Sequence, residues 1–242
     1  MVIRPLTARS VVLSVLLGAH PASASAAELV RLAGDFDIRE STVRVALTRM
    51  VTAGDLVRSK DGYRLSDRLL ARQRRQDDAL SPRRTDWDGM WRTVVITSVG
   101  NDARARSALR NSLQEKRFAE LREGVWMRPD NIEIALDAEV MSRVRILRAC
   151  DEDPEELAQK LWDLPKWGAI GHDLLGEMAD AADVPGRFVV AAAMIRHLLT
   201  DPVLPDALLP PHWPGAALRS AYENFAAELV SRRDGIDLME AR

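Results

Sequence analysis

The sequence predicts an α+β protein in three parts: an N-terminal winged helix-turn-helix, a middle domain of ferredoxin-like kind and a mostly helical C-terminal part. Three observations predict it. Helical spacing around residues 26–53 gives way to two short extended runs about Asp61-Gly62. A β-branched run through Val94-Val95-Ile96 then opens a stretch of mixed strand and helix signals. Beyond Asp153, apolar residues recur three to four apart between prolines, the period of buried helix faces. The expected boundaries are 1–70 for the winged helix, 71–86 for a helical tail and linker, 87–150 for the middle domain and 151–242 for a C-terminal dimerisation or effector domain.

Composition narrows the function. The 242 residues are 47% hydrophobic and 29% charged with a net charge of -2, which suits a folded chain and excludes an undirected polycation. The charge is unevenly placed. Residues 1–75 hold 13 Arg and Lys against 7 Asp and Glu, a net of +6, and the remainder holds 21 against 29, a net of -8. One basic end on an acidic body suits a protein that grips a polyanion with that end. The one cysteine, Cys150, excludes an intrachain disulfide and a thiolate-rich zinc site, and fits a reducing, cytoplasmic setting.

The first 26 residues imitate a secretory signal. Arg4 and Arg9 precede the apolar run Val11 to Leu17, and the small residues Ala22 to Ala26 follow. The competing reading is an amphipathic helix from Thr7 to Leu17. Thr7 suits its cap, and Gly18 and Pro21 suit its end. That helix would complete the core of the domain that follows.

Ser25 and Glu28 form a capping-box pair at the head of a second helix, Ala26 to Leu32, closed by Gly34. A third helix, Arg39 to Ala53, turns Val43, Ala46, Leu47 and Met50 inward. Leu56 to Leu65 folds back on itself at Asp61-Gly62, the strongest short hairpin signal. Helix, helix, helix, hairpin is a winged helix-turn-helix. The major groove admits one helix, and helix three offers Arg39, Ser41, Thr42, Arg44, Thr48 and Arg49 near its outer side. Arginine reads guanine or clamps phosphate, and hydroxyls at the helix start suit phosphate. Arg58, Lys60 and Arg64 belong to the wing, where the DNA backbone would pass.

In the middle domain, Trp91 to Val99 reads as a buried strand, Arg104 to Leu113 as a helix and Val125 to Met127 as extended. Asn131 to Leu136 reads as a further strand and Val144 to Leu147 as the closing one. In the C-terminal part, Asp153-Pro154 starts a helix that Pro165 stops. Helices about Asp173 to Ala179, Pro185 to Leu199 and Leu218 to Val230 follow, with a loose tail from Ser231. All six tryptophans lie outside the N-terminal domain, and most suit a core or an interface. No HExxH, GxSxG, phosphate loop or dinucleotide fingerprint is present. The four histidines have no ligand spacing, although His172-Asp173 is a candidate pair. No cofactor, no metal and no enzymatic role is expected.

These residues together resemble the PaaX-like regulators, the repressors of phenylacetic-acid catabolism. The likeness rests on Ser41 to Met50 with Gly54-Asp55-Leu56 and Tyr63-Arg64-Leu65. More specific are Trp87-Asp88-Gly89-Met90-Trp91-Arg92 and Leu121 to Pro129. Leu161-Trp162-Asp163-Leu164, Leu199 to Pro205, Leu208-Leu209-Pro210 and Trp213-Pro214-Gly215 complete it. The resemblance implies a homodimer on operator DNA, released by a coenzyme A thioester; phenylacetyl-coenzyme A serves the type member. It sets Ser41, Thr42, Arg44, Thr48 and Arg49 on the DNA-facing helix. Two stretches depart from the family pattern. Leu17-Gly18-Ala19-His20 replaces a Phe-Gly-Asp-Tyr-like segment, and Pro165-Lys166-Trp167-Gly168 replaces a Tyr-x-x-Phe segment. They leave the ligand open to other acyl or aryl thioesters, or to none. Trp91, Arg92, Arg104, Arg106 and Trp126 are the candidate effector residues, pairing cationic side chains with aromatic surface. The middle domain also resembles small CRISPR-associated ferredoxin-fold nucleases. The alternatives are therefore a divalent-metal-dependent nuclease and a ligand-independent DNA-binding or protein-interaction scaffold. The nuclease needs a carboxylate near the end of the first strand, where Ile96-Thr97-Ser98-Val99 has none and Asp102 comes late.

Overall fold

Helix α1 (Ala8–Gly18) begins where Thr7 and Ser10 exchange two backbone-to-hydroxyl hydrogen bonds, at 3.0 and 3.2 Å. The structure is a computed structural model and describes residues 6–98 and 103–235. The expected amphipathic helix forms, with an unusually wide buried face. Ala8, Val11, Val12, Leu13, Val15, Leu16 and Leu17 are all buried. At 100° per residue they span about two thirds of the circumference, and the remaining strip carries Thr7, Ser10, Ser14 and Gly18.

Helix α2 (Ala26–Gly34) has the capping box read from Ser25 and Glu28. The Ser25 amide donates to Glu28 Oε2 at 2.6 Å and holds that carboxyl below its ordinary range. Helix α3 (Glu40–Thr52) buries Val43, Leu47 and Met50 against α1 and α2. The hairpin is β2 (Leu56–Ser59) and β3 (Gly62–Leu65), with Leu56 opposite Leu65 and Ser59 opposite Gly62. A two-residue strand, β1 (Ser23–Ala24), adds to the far edge of β3, giving the order β1-β3-β2. Gly62 is required there: its φ is +145°, and a Cβ would stand 2.3 Å from the Ala24 carbonyl oxygen.

Helix α4 (Asp67–Leu80) ties these pieces together. The buried Gln73 amide donates to the carbonyls of Leu16, Leu17 and Ala19, satisfying the end of α1. Asp55, 2% exposed, accepts from Arg9 of α1 at 2.8 Å and from Arg68 of α4.

The chain then builds a four-stranded sheet from β4 (Trp91–Ile96), β5 (Ala119–Arg122), β6 (Val125–Pro129) and β7 (Val144–Ala149). Helix α5 (Ala103–Glu115) and the short α6 (Ala138–Met141) connect them. The order is β5-β6-β4-β7 and every pairing is antiparallel, which is the ferredoxin-like arrangement expected. The strand expected over Asn131 to Leu136 does not form. Only Ile132 makes a bridge, to Arg84, while Asn131 is turned inward to bond other groups. One sheet face carries Val94, Trp126 and Val144 against Leu109 and Leu113 of α5. The other carries Trp91 and Met127 against Leu157 and Ala158 of α7 (Pro154–Leu161), with Leu204 and Leu208.

Helix α8 (Leu164–Asp180) is longer than its expected core. Pro165 ends one helix by opening the next, and Gly168 and Gly171 hid the helical period. Helices α9 (Val184–Leu198) and α10 (Gly215–Asp234) complete the fold, and α10 extends into the tail expected to be loose. Two units result, one of Met1–Leu80, Gly171–Leu199 and Ala216–Arg242, the other of Ser81–Ile170 and Thr200–Gly215. The first has one core. Val184, Phe188 and Ala191 of α9 and Phe225 and Leu229 of α10 join Leu16, Leu29, Val43 and Leu65. Phe36 meets Phe188 edge-to-face at 5.0 Å, and Arg219 of α10 donates to the Ala79 carbonyl at the end of α4.

In the second unit a fully buried arginine closes the sheet. Arg128 donates to the carbonyls of Pro129 and Lys116 and to Asn131 Oδ1, and Asn131 passes the connection to the Val203 carbonyl. Burial pulls its pKa down to about 9, so it stays charged at neutral pH. Arg128→Ala strands three acceptors and is expected to lower the unfolding free energy by roughly 3–5 kcal/mol. Arg128→Lys is expected to recover little, since one ammonium cannot serve three diverging acceptors. Urea unfolding checks both, and wild-type stability in Arg128→Ala would contradict this role.

Candidate nucleic-acid interface

The outer side of α3 begins at its first turn. Arg39 precedes the helix without capping it, which leaves the first amides without a side-chain acceptor. Ser41, Thr42, Arg44, Thr48 and Arg49 are all exposed. They do not stand in one state. Arg44 is held by Glu40 at 2.7 Å, one turn back, and Thr48 donates its hydroxyl to the Arg44 carbonyl at 3.1 Å. Arg39 and Arg49 have no partner among the described residues. Val45 lies among them and is 50% exposed, an apolar side chain where only polar ones were singled out. It suits contact with a thymine methyl. Its misfit to the inward stripe was the signal available in the sequence. Thr42, Val45 and Arg49 also line a groove of about 540 Å³ whose far wall is Thr7, Ala8 and Arg9 of α1.

On the wing, Lys60 is exposed in the turn between β2 and β3. Arg64 is exposed on β3, beside Val57 and Ser23 of the neighbouring strands. Arg58 lies back over Tyr63, with its guanidinium 5.8 Å from the ring centre and 3.4 Å from the phenol oxygen. It must leave that ring to meet a phosphate, whereas Lys60 need not.

The five candidate effector residues are not brought to one place. Trp91 and Trp126 are fully buried on opposite faces of the sheet. Trp91 sits between Trp87 and Trp162, at 6.5 and 6.4 Å between ring centres, and Trp126 lies under the Arg110 guanidinium. Arg92 is bound to Asp130 at 2.7 Å. Arg104 and Arg106 are exposed on α5, and Arg106 lines a cavity of about 310 Å³ with Arg110, Arg122 and Arg143. The aromatic surface expected beside these cations is spent on packing.

Among the described residues no three metal-ligating side chains gather, and His172 and Asp173 form no such group. None of their helices is long and apolar enough to cross a membrane.

A three-helix reader with a wing, followed by a ferredoxin-like sheet and further helices, defines a modular winged-helix protein. Family comparisons agree part by part. Residues 7–69 match the PaaX-like protein, 84–160 the PaaX protein central Cas2-like domain and 164–236 the PaaX-like protein C-terminal domain. The chain belongs to the PaaX-like family. It is 26% identical over 225 aligned residues to the Transcriptional repressor PaaX of Escherichia coli (strain K12), covering 77% of this chain and 68% of that one. Among solved structures, the Uncharacterized protein Rv0674 from Mycobacterium tuberculosis is 65% identical. It superposes with a TM-score of 0.86 over 96% of this chain and 99% of its own.

The wing is tested at Gly62. Gly62→Ala drives a methyl into the Ala24 carbonyl at a backbone conformation that alanine resists, and is expected to cost roughly 1–3 kcal/mol. A melting temperature unchanged from wild type would contradict the pairing of β1 with β3.

Proposed function

We propose that the protein is a transcriptional repressor of catabolic genes that binds duplex operator DNA as a homodimer and lets go when it binds an acyl- or aryl-coenzyme A thioester. The observation that carries the reading is the exposed outer row of α3 — Ser41, Thr42, Val45 and Arg49 — set beside a wing with a free Lys60. A helix with such a row is shaped for the major groove, and the +6 charge of residues 1–75 supplies attraction to phosphate. The named repressor from Escherichia coli supports the same reading. A nuclease is the weaker alternative, because Thr97 and Ser98 after β4 bear no carboxylate; Asp102 comes late in the sequence and lies outside the described residues.

Arg49 is the best-placed base reader and Arg44 a reader only after it leaves Glu40. Arg49→Ala is expected to lose roughly 1–3 kcal/mol of discrimination between operator and random DNA. Lys60→Ala is expected to weaken all sequences alike and to flatten the salt dependence, as a phosphate contact does. Footprinting on the organism's own upstream regions tests the whole reading. An inverted repeat with half-sites about 34–36 Å apart, or a multiple, is expected of a symmetric dimer. No protected sequence, or variants with wild-type affinity and salt slope, would overturn it.

A further inference from the structure

A further cavity lies within the first unit. It measures about 650 Å³, within the size range of small-molecule sites. One wall is α1, through Leu13, Ser14 and Leu17, and the other is formed by Phe188 and Ile195 of α9 with Phe225 and Leu229 of α10. Most of that lining is apolar. Arg72 of α4 and Arg196 of α9 line the cavity, are exposed, and have no acidic or hydrogen-bonding partner among the described residues. Helices α4 and α9, which carry them, pack on one another. Gln76, 5% exposed, also lines it, and its side-chain oxygen is buried without a hydrogen-bond partner in the protein. A buried acceptor left this way is costly unless something donates to it. Tyr222, a phenol whose pKa burial raises above its ordinary value, lines it too, with Thr7, Arg9, Ser10 and Ser14 at the α1 side.

We propose that this cavity, and not the arginine-lined surface of the ferredoxin-like sheet, is the effector site, taking an apolar acyl or aryl body that carries an amide N–H and an anionic end. The proposal rests on the regulator reading above. The apolar walls take the acyl or aryl group, Gln76 accepts from the amide, and Arg72 with Arg196 hold the anion. A coenzyme A thioester has all three features; a simple carboxylic acid lacks the amide donor. The location also supplies a route to the DNA reader. Helix α1 lines the cavity with one flank and packs on α3 with another, and Arg9 of α1 lines both this cavity and the groove against α3. A ligand that fits only one placement of α1 therefore biases α3, as differential affinity requires.

Three variants and four probes test it on the full chain. The probes are phenylacetyl-coenzyme A, octanoyl-coenzyme A and the matching free acids, titrated by calorimetry and then against the protein–operator complex. At least one thioester is expected to bind and to release operator, with its free acid at least tenfold weaker. Arg72→Ala/Arg196→Ala and, separately, Gln76→Leu are expected to weaken that thioester at least tenfold. Ala192→Trp, which fills the cavity, is expected to abolish its binding. Operator affinity without ligand should be unchanged in Gln76→Leu, and circular dichroism melts confirm that each variant folds. A thioester that binds wild type and all three folded variants equally overturns the cavity as the site while leaving the repressor reading intact. Free acids that bind as tightly as thioesters overturn the amide assignment. If neither thioester binds, the effector site and ligand release both fall, and footprinting alone then decides whether the protein reads DNA.

Discussion

Everything in the first unit depends on covering the wide apolar face of α1. A helix with buried side chains at positions 11, 12, 13, 15, 16 and 17 cannot be served by a three-helix reader alone. Helices α2 and α3 take part of its surface, and α9 and α10 bring Phe188, Ala191, Phe225 and Leu229 to the same core. Burying a large apolar side chain is worth about 1.5–3 kcal/mol. The few residues supplied by α9 and α10 are therefore a large share of what a small domain has to spare. The polar links follow the same design. Gln73 ties α4 to the end of α1, and Asp55 ties α1 and α4 to the exit of α3.

This joining matters for regulation. A reader that folded alone would move as a separate body, and signals would reach it only through a linker. Here the helices that hold α3 in place share their core with the helices that line the cavity. On the proposal above, the cavity beside α1, rather than a surface patch, is where a small molecule would act. A well-packed core answers by discrete repacking rather than smooth deformation, which favours two arrangements of α1.

Much of the fold was legible in the sequence because its signals were local. Thr7, Ser25 with Glu28 and Asp153-Pro154 each dictate a helix start within a few residues and act as read; the hairpin forms where Asp61-Gly62 signalled it, but its turn is Lys60-Asp61 and Gly62 opens β3. What was hidden was non-local. The wide apolar face of α1 looked like a signal peptide because its second set of neighbours lies more than 160 residues away in sequence. The strand β1 was invisible, since its two small residues gain their role only from Tyr63 and Arg64 opposite and from the space Gly62 leaves. The outer face of α3 could be read from its period, and Val45 was the apolar member not singled out. The effector residues could not, because Trp91 and Trp126 are drawn to opposite faces of one sheet by strand register.

The claim that α1 and the C-terminal helices are one cooperative body has a direct measurement in native-state hydrogen exchange on the full chain. Amides of α1, α9 and α10 should open with a common free energy, since unfolding any of them exposes the shared core. Opening of α9 and α10 at a free energy lower than that of α1 by more than about 2 kcal/mol would show that the reader stands without them, and would contradict the shared core.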